Sequence, residues 1–168
     1  MLPLPEKPAF SPSSNYWLVA RAVYQGAMRN GAPVPLRIGV MANYDMESAF
    51  KTGAVGDNKT AFNMEQWHGD RIKRILDNTG IDLTTETDPG RVVDAAFWEM
   101  QNVPAYEPHY VHMMASPHAE DCAEVFAIYI EGAGAKDASE RRGEDALFFT
   151  VAITQHAGFF NAPLPPDP

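Results

Sequence analysis

Between residues 44 and 71 the helical rhythm of this chain breaks and then resumes, and that interruption narrows the folds open to it. The stretch begins Tyr44-Asp45-Met46-Glu47-Ser48-Ala49-Phe50, which reads as the end of an apolar helix. A turn rich in glycine, aspartate and asparagine follows, then Thr60-Ala61-Phe62 and finally Gln66-Trp67-His68-Gly69-Asp70-Arg71. Gly53 and Gly56-Asp57-Asn58 tolerate the positive φ of tight turns, so residues 50–64 are expected to form a short hairpin or irregular loop.

Around this break the punctuation is that of helices. Ser13, Ser14 and Asn15 offer caps for a helix over residues 16–30, with Trp17, Ala20, Tyr24, Ala27 and Met28 as its apolar stripe and Gly31 at its stop. Pro33 and Pro35 precede a second helix over 36–48, in which Ile38, Val40, Met41 and Tyr44 turn inward. A third runs from Trp67 or Asp70 to Asn78 and ends at Gly80. Asp88-Pro89 caps and opens a helix that buries Val92, Val93, Ala96, Phe97 and Met100. Ser116-Pro117 opens another, with Cys122, Ala123, Val125, Phe126, Tyr129 and Ile130 inward. Asp137 and Glu140 have the spacing of a capping box for a last helix through Thr154.

The expectation is a mainly α (α+β) single domain of about six to seven helices with one small β insertion near 50–64. Residues 1–14 read as an N-terminal arm, 15–156 as the domain, and 157–168 as a proline-rich tail. A chain of 168 residues with 45% apolar content supports one core and is short for two.

Charge and cysteine use exclude several classes. The net charge is −9 and the basic residues are scattered, so no basic face for nucleic acid is expected, and anionic membranes or wall polymers repel this surface. The single cysteine, Cys122, sits in an apolar stripe and reads as core. No apolar run approaches the roughly 20 residues of a membrane-spanning helix, so no membrane insertion is expected. The start, Met-Leu-Pro-Leu-Pro-Glu-Lys-Pro, lacks a basic segment followed by an apolar one, so synthesis in a cytoplasm without a Sec leader is expected. His109, His112, His118 and Glu107 do not have the spacing of a zinc signature, and no glycine-rich phosphate loop is present. No metal and no cofactor is therefore expected. Ser48 lacks the Gly-x-Ser-x-Gly context of an acyl-transfer nucleophile.

Glu47 is the leading candidate for chemistry. Val40, Asn43 and Tyr44 lie one turn before it, so its carboxyl leaves a mostly apolar face. Desolvation and the negative end of a helix both raise a carboxyl pKa. An acid so tuned suits proton donation to a glycosidic oxygen. The plain alternative is a solvated glutamate at a helix end. Asp57 is either a second carboxylate, steadying an oxocarbenium-like state or a water, or an Asx-turn residue bonded to its own loop. Gln66 can read N-acetyl groups through its amide, and Trp67 offers a flat face to a sugar ring or else belongs to the core. Tyr44, Tyr106 and Tyr110 are further candidates for substrate contact, the last two on a far wall.

These segments, in this order, resemble the phage tail lysozyme family of the lysozyme-like, peptidoglycan-cleaving superfamily. The matching residues are Glu47-Ser48-Ala49-Phe50, Ala54-Val55-Gly56-Asp57, Ala61, and Gln66-Trp67-His68-Gly69-Asp70-Arg71. Weaker echoes continue in Ala95-Ala96-Phe97-Trp98-Glu99, in Phe126-Ala127-Ile128-Tyr129, and in Arg142 before Ala146. The resemblance covers about residues 15–150. It departs at Asn63-Met64-Glu65, where such proteins usually carry a glycine and an apolar residue, and this touches the groove floor.

The resemblance implies a lysozyme-like fold and cleavage of the β-1,4 bond between N-acetylmuramic acid and N-acetylglucosamine, as a muramidase or a lytic transglycosylase. It implies Glu47 as the catalytic acid, with Asp57 assisting or Thr60 positioning a water. The partners implied are peptidoglycan glycan strands and phage tail or secretion-machine proteins, with action at the cell wall after delivery or lysis. The competing expectation is a non-catalytic structural or glycan-binding module on the same fold.

Overall fold

The computed structural model describes residues 6–56, 59–132 and 136–164, the side chains of 136–139 excepted. Helix α1 spans Asn15–Arg29 and begins at Ser14, whose Oγ accepts a hydrogen bond from the Trp17 backbone N–H. Helix α2 spans Val34–Ser48, with a proline in its first turn. Three two-residue strands follow: β1 Val55–Gly56, β2 Ala61–Phe62 and β3 Trp67–His68. They pair antiparallel in the order β1-β2-β3, Val55 opposite Phe62 and Phe62 opposite Trp67. The expected hairpin is thus the first half of a small three-stranded sheet.

Helices α3 Gly69–Thr79 and α4 Pro89–Asn102 follow the expected signals. Gly80 adopts φ 72° at the end of α3, and Asp88 accepts from the Gly90 N–H at 2.8 Å at the start of α4. Helix α5, Glu107–Ala115, was not expected, because Met113 is its one fully buried residue and no apolar stripe announces it. Helix α6 spans Ala119–Val125 and runs directly into a π-helical turn, Phe126–Ile130. Helix α7, Lys136–Gln155, contains the expected Glu140, whereas the side chain of Asp137 lies outside the described residues.

The π-turn corrects the inward set expected here. Its i→i+5 bonding, closed by the Glu131 N–H on the Phe126 carbonyl at 3.1 Å, underwinds the chain by a residue. Phe126 and Ile130 are buried as expected, while Tyr129 swings out to 48% exposure and stacks on His109. Met28, expected on the inner stripe of α1, is also exposed.

Helix α2 is the axis of the domain and packs against α1, α6 and α7. Leu36, Ile38, Val40, Met41 and Tyr44 are all buried, as its apolar sequence requires. Gly39 lets α6 approach closely: a Cβ there would lie 2.8 Å from the Cys122 Cβ. Asn43 fixes the same contact by donating to the Ala123 carbonyl at 3.0 Å. Cys122 is buried and free, as expected of a core thiol.

The described segments before α1 and after α7 are tied to the core. The Trp17 indole N–H donates to the Ala9 carbonyl at 3.0 Å, and Phe10 stacks on His156 with ring centroids 3.6 Å apart. Part of the expected tail is helical: α8, Ala157–Asn161, buries Phe160 against Trp17 and Tyr24. Among the described residues no helix is long and apolar enough to cross a membrane.

Candidate functional site

The backbone turns unusually hard where α2 meets the sheet. Ala49 and Phe50, consecutive residues after the helix, have φ 51° and 59°, and Lys59, Asn63 and Gln66 are also positive. Side chains other than glycine reach this region at a cost of order 1–3 kcal/mol each, and such strain gathers at functional sites. Phe50 holds the bend by burying its ring against Tyr16 and Phe149. The bend leaves Glu47, one turn back, at the rim of a cleft of about 400 Å³ between the sheet and the π-turn.

One wall of this cleft is ionic. Glu47 has a side chain 28% exposed, and its Oε1 accepts a hydrogen bond from Arg142 Nη2 of α7. The same guanidinium nitrogen lies 3.0 Å from Oε2 of Glu131, whose side chain is 5% exposed. Burial pulls the Arg142 guanidinium below its ordinary value, and Asp145 opposes this. The apolar setting expected for Glu47 is replaced by a buried cation.

The floor is built by the segment that departs from the family pattern. Asn63 donates to the Leu83 and Glu86 carbonyls at 3.0 and 2.8 Å, pinning the sheet to the loop before α4. Met64 is buried, and Glu65 points beneath the cleft with a side chain 0% exposed. Arg71 Nη2 lies 2.6 Å from both Glu65 Oε1 and Glu99 Oε2, and Arg71 Nε donates to Glu99 Oε1 at 3.0 Å. Burial pushes the Glu65 carboxyl up to about 8; Arg71 opposes the rise and Glu99 adds to it. Burial alone would lower the Arg71 guanidinium, yet Glu65 and Glu99 hold it above its ordinary value. Gly56 and Gln66 complete the opposite rim in close contact, since a Cβ at Gly56 would collide with Gln66 Oε1.

A family model for the phage tail lysozyme matches residues 19–150. The chain belongs to the phage tail lysozyme family. Comparison with curated proteins and with solved structures found no match. Membership gives the chain a lysozyme-like, peptidoglycan-related function and a mainly α, lysozyme-like fold.

The expected site residues divide sharply once the chain is folded. Glu47 and Gln66 line the cleft. Trp67 does not: its indole is fully buried against Tyr44 and donates from Nε1 to Glu99 Oε2 at 3.0 Å, so it has no free face for a sugar ring. Tyr44 is also fully buried, its hydroxyl 3.5 Å from Glu65 Oε2, and supports the floor from below. Tyr106 lies behind Arg71, whose guanidinium carbon is 5.5 Å from the ring centroid. Tyr110 packs edge-on against Phe97 and accepts a hydrogen bond from Gln101 at 3.0 Å. Neither tyrosine is among the described residues lining the cleft. Thr60 is exposed, its N–H on the Gly56 carbonyl at 3.2 Å, and also stands outside that lining. Asp57 lies outside the described residues.

Glu65, His68, Arg71 and Glu131 also line the cleft and were not read in the sequence as site residues. Glu65 carried a signal, as a charged residue at the point where the motif departs from its family. Glu131 carried one too, ending an apolar segment before a glycine much as Glu47 ends α2. Among the described residues no group of three or more metal-ligating side chains is assembled.

Proposed function

We propose that this protein is a peptidoglycan glycosidase that cleaves the β-1,4 bond between N-acetylmuramic acid and N-acetylglucosamine, with Glu47 as general acid. The observation that carries this reading is exposure. Of the three described carboxyls lining the cleft, Glu65 and Glu131 are closed off from solvent and Glu47 alone offers an oxygen to a glycan. Glu47 also heads the Glu-Ser-x-Phe segment within the family match.

In the proposed reaction the protonated Glu47 donates to the glycosidic oxygen as the bond to the anomeric carbon breaks. Positive charge then builds on the sugar ring. Either a water or the sugar's own 6-hydroxyl then attacks the anomeric carbon and passes its proton to an assisting base or back to the Glu47 carboxylate, giving hydrolysis or transglycosylation. Asp57, next in sequence to the cleft-lining Gly56, and Thr60 are the proposed assisting groups. Gln66, on the rim, is the proposed reader of an N-acetyl group. Glycan strands are the proposed partner, and a phage tail or a secretion machine the proposed vehicle to the wall.

Turbidity loss on purified murein tests the assignment. Wild-type chain is expected to clear the suspension and Glu47→Gln to lose at least about a hundredfold in rate, the usual scale of general acid catalysis. Equal clearing by both would remove Glu47 from the chemistry. Mass spectra of the released fragments separate the two outcomes, reducing ends for hydrolysis and 1,6-anhydro ends for transglycosylation.

The engagement of Glu47 by Arg142 favours a second reading, a glycan-binding module that does no chemistry. Retention on insoluble peptidoglycan with no soluble product from the wild-type chain would support it.

A further inference from the structure

Glu131 closes the π-turn and stands at the cleft with its side chain 5% exposed, and neither of its oxygens makes a hydrogen bond. Its Oε2 is 3.0 Å from Arg142 Nη2, the nitrogen that donates to Glu47 Oε1. Two carboxyls from different elements therefore converge on one guanidinium nitrogen. One cation balances one carboxylate; a second negative charge at this range is disfavoured, so the two sites bind their protons as a pair.

We propose that Glu131 is a positioning residue, which sets the acidity of Glu47 by sharing the Arg142 guanidinium with it. The functional meaning of this pairing rests on the reading of Glu47 as general acid. One proton is then shared between the two carboxyls. In the arrangement that leaves it on Glu47, with Glu131 as the carboxylate against Arg142, Glu47 is set to donate to the leaving oxygen. Once that proton is gone, Arg142 is already in contact with the new Glu47 carboxylate.

The groups facing Glu131 agree with one proton on the pair. Burial pushes its carboxyl well above the ordinary value; Glu65 adds to this and Arg71 opposes it. Helix α2 brings Glu47 and the phenol of Tyr44, which burial keeps neutral. Helix α7 brings Arg142, itself in the field of Asp145. From the sheet, His68 shares the cleft. On α5, His109 is stacked on Tyr129, and on α6 the Glu124 carboxylate lies against Gly143.

Carbon-13 NMR titration of the side-chain carboxyls in the full chain reads the pairing directly, with Glu47→Gln and Glu131→Gln assigning the two signals. In wild-type protein each assigned signal is expected to report both proton-binding steps of the pair; two independent single-step curves would overturn the proposal. In Glu131→Gln the Glu47 midpoint is expected to fall by about one pH unit or more, because Glu131 no longer competes with it for Arg142. The alkaline limb of the murein-clearing profile should move down with it. An unmoved Glu47 midpoint in folded Glu131→Gln, with a change in KM only, would make Glu131 a binding group and overturn the proposal. Paired titrations together with undiminished clearing by Glu47→Gln would leave the pairing standing and remove the general-acid reading.

Discussion

Lys7 Nζ lies 2.6 Å from Asp145 Oδ1, so the segment before the first helix neutralises a carboxyl buried in α7. The same ammonium donates to Asp45 of α2. Asp45 and Asp145 sit on the two helices that also bring Glu47 and Arg142 together, each less than one turn from its functional neighbour in sequence. The N-terminal arm thus braces the helix pair that builds the cleft wall, through a cation that is itself mostly buried.

Removing Lys7 strands two carboxyls in a dry interior. Breaking a buried pair from one side costs about 3–5 kcal/mol. Lys7→Met is expected to lower the urea midpoint accordingly, and Lys7→Met with Asp145→Asn to recover part of the loss. A midpoint unchanged in Lys7→Met would show that the arm does not brace the helices.

Stability should fall as the medium becomes more alkaline. Burial lifts Glu65 to about 8 and Asp145 to about 7, from ordinary values of 4.5 and 3.8. Between the ordinary and the raised values the folded chain binds more protons than the unfolded one, so the unfolding free energy drops as pH rises through that window. Urea unfolding at pH 5 and at pH 8 should show the higher midpoint at pH 5, and Glu65→Gln should flatten the upper part of the slope. A wild-type midpoint that rises toward pH 8 would refute the buried-carboxyl account.

Gly56→Ala tests the contact at the rim. Its new Cβ collides with Gln66 Oε1, while Gln66 Nε2 is held by the Asn63 carbonyl at 2.6 Å, so the amide cannot simply swing aside. Loss of stability near 1–3 kcal/mol is expected. Combining it with Gln66→Ala should relieve most of that loss, as contacting residues couple in a double-mutant cycle. Strict additivity would place the two side chains apart.

Trp67→Phe separates core from substrate contact. It removes the buried N–H donor to Glu99 and leaves that oxygen short of a partner, a cost of about 1–3 kcal/mol. Thermal unfolding should reveal the loss while KM for murein fragments stays unchanged. A large rise in KM with unaltered stability would return Trp67 to the groove.

Periodicity and punctuation made most helices legible. Ser14, Asp88-Pro89 and Gly80 act over a few residues, through backbone donors and acceptors that any local chain must satisfy. Helix α5 escaped because an exposed helix with one buried residue leaves no stripe to read. The outward turn of Tyr129 escaped because a π-turn depends on packing against neighbours distant in sequence.

Family and candidate acid were written in the chain: the order of the Glu-Ser-x-Phe, Gly-Asp and Gln-Trp-His-Gly-Asp-Arg segments belongs to the phage tail lysozyme match. Tertiary structure alone decided which side chains meet. It sent Trp67 and Tyr44 inward, brought Glu65 beneath the cleft, and set Glu131 and Glu47 on the same arginine nitrogen. The physical reason is range. Capping and helix periodicity are satisfied within a turn or two, whereas burial and the pairing of charges across α2, the π-turn and α7 exist only once the core has closed around them.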